Sequence, residues 1–192
     1  MAFQLIAGHP ALDLVNTLDW RFGTQGPQDL LTSYDDLVRF IQQSKLLSIK
    51  PSATRIAGAR ALQRSIELRE ALAEIFYSQL DGRKPSTTAR NQLERYFKEA
   101  RLRQTLNWKD SPHLEWEWPA HAINAELPFW ALALSALDLM TSDAVHRVRA
   151  CDNPECRWLF LDTSKNHTRR WCDMKLCGNR MKARRFKASR AR

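Results

Sequence analysis

Four cysteines arranged as two close pairs constrain this chain more than any other feature of its sequence. They follow the pattern Cys151-x4-Cys156-x15-Cys172-x4-Cys177, and no cysteine occurs before Cys151. Each pair can supply two thiolates from one turn, and the gap between the pairs is long enough for the chain to fold back on itself. The spacing predicts that all four cysteines bind one structural zinc ion per chain. His167, in the gap, is expected to be an exposed loop residue, because a structural zinc site needs only four ligands.

The alternatives to zinc are disulfides or four unrelated buried thiols. The first residues of the chain have no basic flank, and Gly8-His9-Pro10 and Asp13 interrupt their apolar run, so they do not resemble a signal peptide. No apolar run approaches the roughly 18 residues that span a bilayer. We therefore expect a cytoplasmic protein without a membrane partner, and that compartment keeps thiols reduced. Four thiolates also close the coordination shell, so the predicted metal is structural and not catalytic.

The positive charge of the chain is concentrated at its C-terminal end. Residues 147–192 contain 14 Lys and Arg against 4 Asp and Glu, whereas the rest of the chain is nearly neutral. No acidic residue follows Asp173, and a basic segment with helical spacing comes directly after Cys177. A solvated tail is the alternative, but the charge asymmetry favours a polyanionic partner. The residues expected to contact nucleic acid are Arg169, Arg170, Asn179, Arg180, Lys182, Arg184, Arg185, Lys187 and Arg190.

The segment between the cysteine pairs predicts a compact zinc module. Residues 157–161 are typical of a strand, residues 162–168 of a turn, and residues 169–171 of a second strand that returns as a hairpin. A helix is expected to open at Cys172-Asp173 and to carry the basic residues, with Met181 and Phe186 packed against the hairpin. Two ligands before a hairpin and two at the start of a helix describe a treble-clef-like zinc ribbon.

The rest of the chain predicts a mainly helical body with a few strands, so the fold class is α+β. Helices are expected after Ser33, after Pro51, after Ser86 and at Pro128, and the period-two pattern of residues 113–118 predicts a half-buried strand. The change in composition near residues 144–149 places the domain boundary, giving a body of residues 1–146 and a zinc module of residues 147–192. This division predicts that removing the metal unfolds the module and leaves the body intact.

Polar residues inside apolar patterns are the candidates for a ligand site in the body. His9 and Asn16 lie in the apolar opening segment, and Arg69 interrupts the apolar stripe of the longest predicted helix. Arg69 could bind an anionic ligand, or it could form a buried ion pair with Asp13. No glycine-rich phosphate loop, nucleophile elbow or histidine-rich metal site is present, so we expect a protein that is not an enzyme.

Three segments resemble a known bacterial family. Residues 171–185 (WCDMKLCGNRMKARR) and 158–166 (WLFLDTSKN) resemble the CGNR zinc finger, and residues 8–17 (GHPALDLVNT) are similar to the start of the associated ABATE domain. The resemblance implies a stress-related transcription regulator whose N-terminal domain senses a small-molecule effector and whose zinc module binds DNA. The basic helix holds Phe186 as its one aromatic residue, which favours DNA over RNA. An RNA-binding or protein-binding zinc module is the alternative, and the sequence leaves the oligomeric state open.

Overall fold

The computed structural model describes residues 2–49, 51–110 and 112–190. Short 3-10 helical turns at Ala120–Ala122 and Asp143–Arg147 lie before and after the helix Leu127–Thr141. The described residues form six α-helices: α1 Pro10–Asn16, α2 Tyr34–Gln43, α3 Arg55–Leu80, α4 Thr87–Arg101, α5 Leu127–Thr141 and α6 Asn179–Arg190. They also form three antiparallel strand pairs: β1 Leu18–Asp19 with β2 Gln28–Asp29, β3 Thr105–Asp110 with β4 His113–Glu117, and β5 Val148–Ala150 with β6 Leu159–Leu161. The α+β prediction is confirmed.

The helix starts follow the capping residues of the sequence. Ser33, Thr54 and Ser86 each accept a hydrogen bond from the backbone N–H three residues later, which satisfies one of the free donors at a helix N-terminus. Pro10 and Pro128 occupy the first turn of α1 and α5, where the missing N–H costs nothing. For α1, the sequence left strand and helix open, and the proline together with the His9 cap favours the helix.

The core is centred on α5, which is buried on nearly all sides as its uniformly apolar sequence predicts. Helices α1, α3 and α4 pack around it. The β5–β6 pair packs into the same core, because Val148, Leu159 and Leu161 are buried among the apolar side chains of the helices. The boundary at residue 147 stays a prediction, but the segments on its two sides share one hydrophobic core.

The strand predicted at residues 113–118 forms as β4, but its side chains are not half-buried. β3 and β4 form a hairpin in which Leu106 lies opposite Trp116 and Trp108 lies opposite Leu114. All four of these side chains are exposed. The alternation in the sequence therefore marks a hairpin with one apolar face, and that face lies on the surface of this chain. None of the helices in the part of the chain that the structure describes is long and apolar enough to cross a membrane.

Asp13 is a buried carboxyl group on α1 and gives the protein a predicted pH dependence. It accepts a hydrogen bond from the Ala7 N–H at 3.0 Å, but burial raises its pKa to about 6. A raised pKa in the folded state means that the stability from protonated Asp13 is present below about pH 4 and is lost as the pH rises through 6.

We expect Asp13→Asn to remove this dependence. The free energy of unfolding of the wild type should fall relative to the variant by about 1.5 kcal/mol between pH 5 and pH 8. Urea unfolding of the zinc-loaded wild type and variant across this pH range measures the difference between their free energies of unfolding. The titration of all other groups cancels in this difference, because both proteins contain them. A constant difference across the range would mean that Asp13 titrates normally.

Candidate metal centre and basic helix

The four cysteines come together as one cluster. All four are buried, and their sulfur atoms lie within 4.8 Å of one another. The Sγ atoms of Cys156 and Cys172 are 3.7 Å apart. A tetrahedral zinc ion with Zn–S bonds of about 2.3 Å needs sulfur atoms about 3.8 Å apart, so the cluster has the size and the donor set of a closed zinc site.

The first cysteine pair is positioned by β5 and by a turn built around Asn153. The Cys151 N–H donates to the Trp158 carbonyl at 2.9 Å, and the N–H groups of Cys156 and Arg157 both donate to the Asn153 carbonyl at 3.0 Å. The buried Asn153 side chain donates from Nδ2 to the Cys177 sulfur at 3.5 Å. Asn153 is not a metal ligand itself, but this hydrogen bond orients the Cys177 thiolate. We did not predict a role for Asn153, although an asparagine within a cysteine loop is a signal for such a turn.

The second cysteine pair is held at the start of the basic helix. Asp173 accepts a hydrogen bond from the Leu176 N–H at 2.9 Å and caps a π-helical turn, Met174–Gly178, that runs directly into α6. A Cβ atom on Gly178 would lie 2.4 Å from the Met174 sulfur, so a larger residue there would have to displace the flexible and exposed Met174 side chain. Cys177 therefore ties the turn that leads into α6 to the metal site, two residues before the helix begins at Asn179.

The four thiols perturb one another's pKa values, because their sulfur atoms lie close together in one buried cluster. Hydrogen bonds within the cluster, chiefly with Cys156, lower the pKa of Cys151 to about 7, and those with Cys151 lower the pKa of Cys177 further. The same contacts raise the pKa of Cys156 and of Cys172. A divalent cation removes this competition, because every thiolate then has a positive partner.

The predicted return strand at residues 169–171 does not form, and this part of the hairpin prediction is wrong. β6 pairs instead with β5, which precedes the first cysteine. The buried Asp162 carboxylate accepts hydrogen bonds from the Ser164 N–H at 3.0 Å and the Arg169 N–H at 3.0 Å, and these fix a compact turn. Among the described residues, one backbone hydrogen bond joins this segment to the first cysteine pair, from the Asp152 N–H to the Arg170 carbonyl at 2.9 Å.

Arg169 is part of the zinc module's framework and does not extend an exposed basic patch as predicted. Its guanidinium donates to the carbonyl oxygens of Trp171, at 2.9 Å, and of Cys172. It also lies 4.2 Å from the centre of the Phe160 ring. These contacts take the place of the missing strand pairing, because they tie the third ligand to the turn before it.

The remaining basic residues lie on and around α6. Nearly all described side chains of this helix are exposed. Within the described ranges, neither Lys182 nor Lys187 forms an ion pair, whereas Arg184 pairs with Glu155 at 3.1 Å. The backbone of residues 185 and 190 belongs to α6, but the side chains of Arg185 and Arg190 lie outside the described residues. Asn179 is exposed at the first position of the helix.

Arg170 and Arg180 are exposed but have partners. Arg170 donates to Asp152 at 2.5 Å, and the Arg180 guanidinium lies 5.1 Å from the centre of the Trp20 ring, on the body. Phe186 does not pack against the hairpin as predicted, since 60% of it is exposed, and Met181 is half-buried. His167 is exposed, as expected, with Nδ1 3.2 Å from the Asp162 carbonyl oxygen.

Comparison with protein families identifies both parts of the chain. The ABATE family, described as "Putative stress-induced transcription regulator", matches residues 8–143. The chain belongs to the ABATE family. The CGNR zinc finger matches residues 147–190, which contain the cysteine cluster. The cofactor is therefore one structural zinc ion held by the four cysteines. Among curated proteins, none matches this chain.

The ABATE segment and the CGNR finger are joined by buried hydrogen bonds. The Asn16 side chain on α1 donates to the Leu159 carbonyl and accepts from the Leu159 N–H, both at 2.9 Å. The Leu161 N–H donates to the Ala7 carbonyl at 2.8 Å, and the Tyr77 hydroxyl donates to the Arg157 carbonyl at 2.9 Å. Strand β6 is thus bonded to the ABATE segment along its length.

Asn16→Ala is expected to destabilise the protein by about 3 kcal/mol, because it leaves a buried N–H and a buried carbonyl of Leu159 without partners. Chemical unfolding of the zinc-loaded protein measures the loss. Asn91→Ala is the control, since Asn91 is exposed on α4 and its replacement should change stability by less than about 0.5 kcal/mol. Equal effects of the two changes would show that the Asn16 bonds do not hold the finger on the body.

The three residues considered for a ligand site have partners within the protein. The Arg69 guanidinium binds both oxygens of Asp29, at 2.7 and 2.8 Å, and its Nε donates to Glu70 at 2.8 Å. The alternative pairing with Asp13 is therefore wrong. The His9 side chain caps α1, and Asn16 holds Leu159. Each side chain has a structural role in the ABATE fold, and binding of a ligand by His9, Asn16 and Arg69 stays a prediction without support from their contacts.

Proposed function

We propose that this protein is a cytoplasmic transcription regulator, and not an enzyme, that binds DNA through α6 of its CGNR finger. The family description supports a regulatory role in the stress response. The main support for DNA binding is the charge and the exposure of α6. This helix has no acidic residue, exposes nearly all its described side chains and begins two residues after the metal ligand Cys177.

The zinc site gives this helix a fixed starting point. Cys177 is bonded to the metal, Asp173 caps the turn before the helix, and Arg180 contacts Trp20. A helix that is held at its N-terminus and exposes nearly all its described side chains can enter the major groove of a duplex. In this arrangement Lys182 and Lys187 contact phosphates, and Asn179 is the better candidate for a base contact because Arg180 is already engaged.

Phe186 favours a second candidate function, the binding of single-stranded RNA. Its ring is 60% exposed, and exposed aromatic rings stack on unpaired bases. Phe186→Ala separates the two functions, because base stacking is worth about 1–3 kcal/mol and a duplex offers no unpaired base. Ile56→Ala is the matched control, since Ile56 is 85% exposed on α3, away from the finger.

The proposal is tested by competition between nucleic acids for the zinc-loaded protein. Fluorescence anisotropy in about 0.1 M salt would compare one duplex DNA, the same sequence as single-stranded RNA, and the chelated protein. DNA binding predicts that the duplex competes best, that Phe186→Ala leaves its affinity unchanged and that chelation abolishes binding. A preference for the RNA that Phe186→Ala removes would instead support the second candidate.

We further propose that an effector acting on the ABATE segment changes the affinity of α6 for DNA. The support is the contact of Arg180 with Trp20, since it connects the first turn of α6 to the body. Coupling of this kind is typically worth about 1–3 kcal/mol. Compounds that raise the thermal stability of the full chain should shift DNA affinity in the wild type, and the shift should be smaller in Arg180→Gln.

A further inference from the structure

The acidic residues of the CGNR finger fall into two groups according to what they bind. Residues 147–192 contain four of them: Asp152, Glu155, Asp162 and Asp173. Asp162 and Asp173 accept hydrogen bonds from backbone N–H groups and fix the turns around the metal site. Asp152 and Glu155 instead bind arginine side chains. Both belong to residues 152–155, the knuckle loop between the first two cysteines.

The two arginines that the knuckle loop binds are both candidates for contact with DNA. The Arg170 Nε atom donates to an Asp152 carboxylate oxygen at 2.5 Å. An Nη atom of Arg184 on α6 donates to both carboxylate oxygens of Glu155, at 3.1 and 3.2 Å. A carboxylate bound to a guanidinium supplies the charge and the acceptor oxygens that a DNA phosphate would offer. The knuckle loop therefore gives the two arginines an internal substitute for a phosphate.

The backbone of the knuckle loop is held in place, whereas the arginine side chains are free to turn away from it. The metal ligands Cys151 and Cys156 lie on either side of the loop. The Cys156 N–H donates to the Asn153 carbonyl at 3.0 Å, and the Glu155 N–H donates to the Asn153 side-chain oxygen at 3.3 Å. The two arginine side chains are about half exposed. An approaching phosphate must therefore draw each arginine away from a carboxylate that stays nearby.

The lysines of α6 are not restrained in this way. Lys182 and Lys187 are exposed and form no ion pair with another described residue, so they can bind a phosphate without losing a partner. Arg170 and Arg184 must each exchange one anion for another. This exchange gains less free energy than a new ion pair, because the loss of the internal pair offsets part of it.

We propose that the knuckle loop is an autoinhibitory element that competes with DNA phosphates for Arg170 and Arg184. The proposal rests on the proposed binding of DNA by α6 and adds how that binding is restrained. The lysines supply the first attraction to DNA, and the two arginines bind only where a phosphate lies close enough to replace a carboxylate. The loop thereby lowers the affinity of the finger for polyanions.

Glu155→Gln removes the charge of the competing group and keeps its shape. We expect it to raise the affinity of the zinc-loaded protein for duplex DNA about threefold in about 0.1 M salt, which is the effect of losing a surface ion pair. Asp152→Asn should act similarly, and the two together should give about tenfold. Glu94→Gln is the matched control, because it breaks an exposed ion pair with Lys98 on α4 and should leave DNA affinity unchanged.

A double-mutant cycle separates competition for Arg184 from simple repulsion between Glu155 and DNA. Fluorescence anisotropy would measure Glu155→Gln alone and together with Arg184→Ala, with zinc content checked in every protein. Competition predicts that the gain disappears when Arg184 is absent, whereas repulsion alone predicts the same gain in both proteins. No gain from Glu155→Gln alone, or a gain that persists with Arg184→Ala, would overturn the proposal.

The double change Lys182→Ala and Lys187→Ala in the same assay tests DNA binding by α6 separately. If it weakens binding and Glu155→Gln has no effect, α6 binds DNA and only the competition by the knuckle loop is wrong. If neither change alters the affinity, α6 is not the DNA-binding surface and both proposals fail.

Discussion

Removal of zinc is expected to unfold the CGNR finger and to lower the unfolding temperature of the ABATE segment as well. The finger has a small apolar core, in which the four cysteines pack with Trp158 and Phe160, and with Ile6 and Trp171 at its edge. A core of this size cannot order the surrounding turns by itself. Structural zinc supplies about 10–16 kcal/mol of binding free energy to comparable modules, so the metal-free finger should not fold.

The ABATE segment is expected to lose stability without zinc because strand β6 of the finger packs into its core. Leu159 and Leu161 are buried in the core of the helices, and Leu159 is bonded to Asn16. Loss of the two leucines costs about 2 kcal/mol each, and loss of the Asn16 bonds costs a further 1–3 kcal/mol. At about 2–4 °C per kcal/mol for a chain of this length, a loss of about 5–7 kcal/mol should lower the Tm of the helices by about 10–28 °C.

Thermal unfolding followed by circular dichroism measures both effects, with zinc-loaded and chelator-treated samples of the same protein. Restoring zinc to the chelated sample is the control and should return the Tm to its original value. This expectation replaces the sequence-based one, in which the body stays intact without metal. An unchanged Tm of the helical signal would show that the ABATE segment folds independently of β6.

The metal site and the helix starts could be predicted from the sequence because both depend on local chemistry. Four thiolates at this spacing have few uses other than zinc, and Ser33 and Ser86 cap the helices that follow them whatever the rest of the fold is. The pairing of β6 could not be predicted in the same way. It depends on Asn16, which lies 143 residues earlier in the chain and bonds the edge of this strand.

The wrong predictions for Arg169 and Phe186 share one cause. Residue type alone predicts an exposed position for the basic Arg169 and packing against the hairpin for the aromatic Phe186. In the structure, Arg169 binds carbonyl oxygens in place of the predicted strand pairing, and Phe186 is 60% exposed. Arg69 was recognised as buried, but its partner Asp29 lies on the short strand β2, whose pairing with β1 the sequence does not indicate.

The double change Lys182→Ala and Lys187→Ala is expected to weaken DNA binding strongly without affecting the fold. Both lysines are exposed on α6 and form no ion pair with another described residue. Each phosphate contact releases counterions, so it contributes about 0.9 to the slope of log affinity against log salt. In 0.1 M salt, the loss of one such contact lowers the DNA affinity about eightfold. Replacing both lysines therefore lowers it about 60-fold.

The arginines of the finger should behave differently. Arg184 must leave Glu155 before it binds a phosphate, so its replacement by alanine is expected to cost less than that of Lys182. Arg169→Ala should instead lower zinc affinity and stability, because its guanidinium binds the carbonyl oxygens next to the third cysteine. Zinc content measured alongside DNA affinity separates the two kinds of change.

The most direct test of DNA binding by α6 is a salt titration of duplex DNA affinity for three zinc-loaded proteins. The wild type should show a slope of about −4 to −5, corresponding to about five phosphate contacts. Lys182→Ala with Lys187→Ala should be shallower by about two units, and Lys84→Ala, an exposed lysine between α3 and α4, should match the wild type. If the double variant keeps the wild-type slope and affinity with its zinc in place, α6 is not the DNA-binding surface.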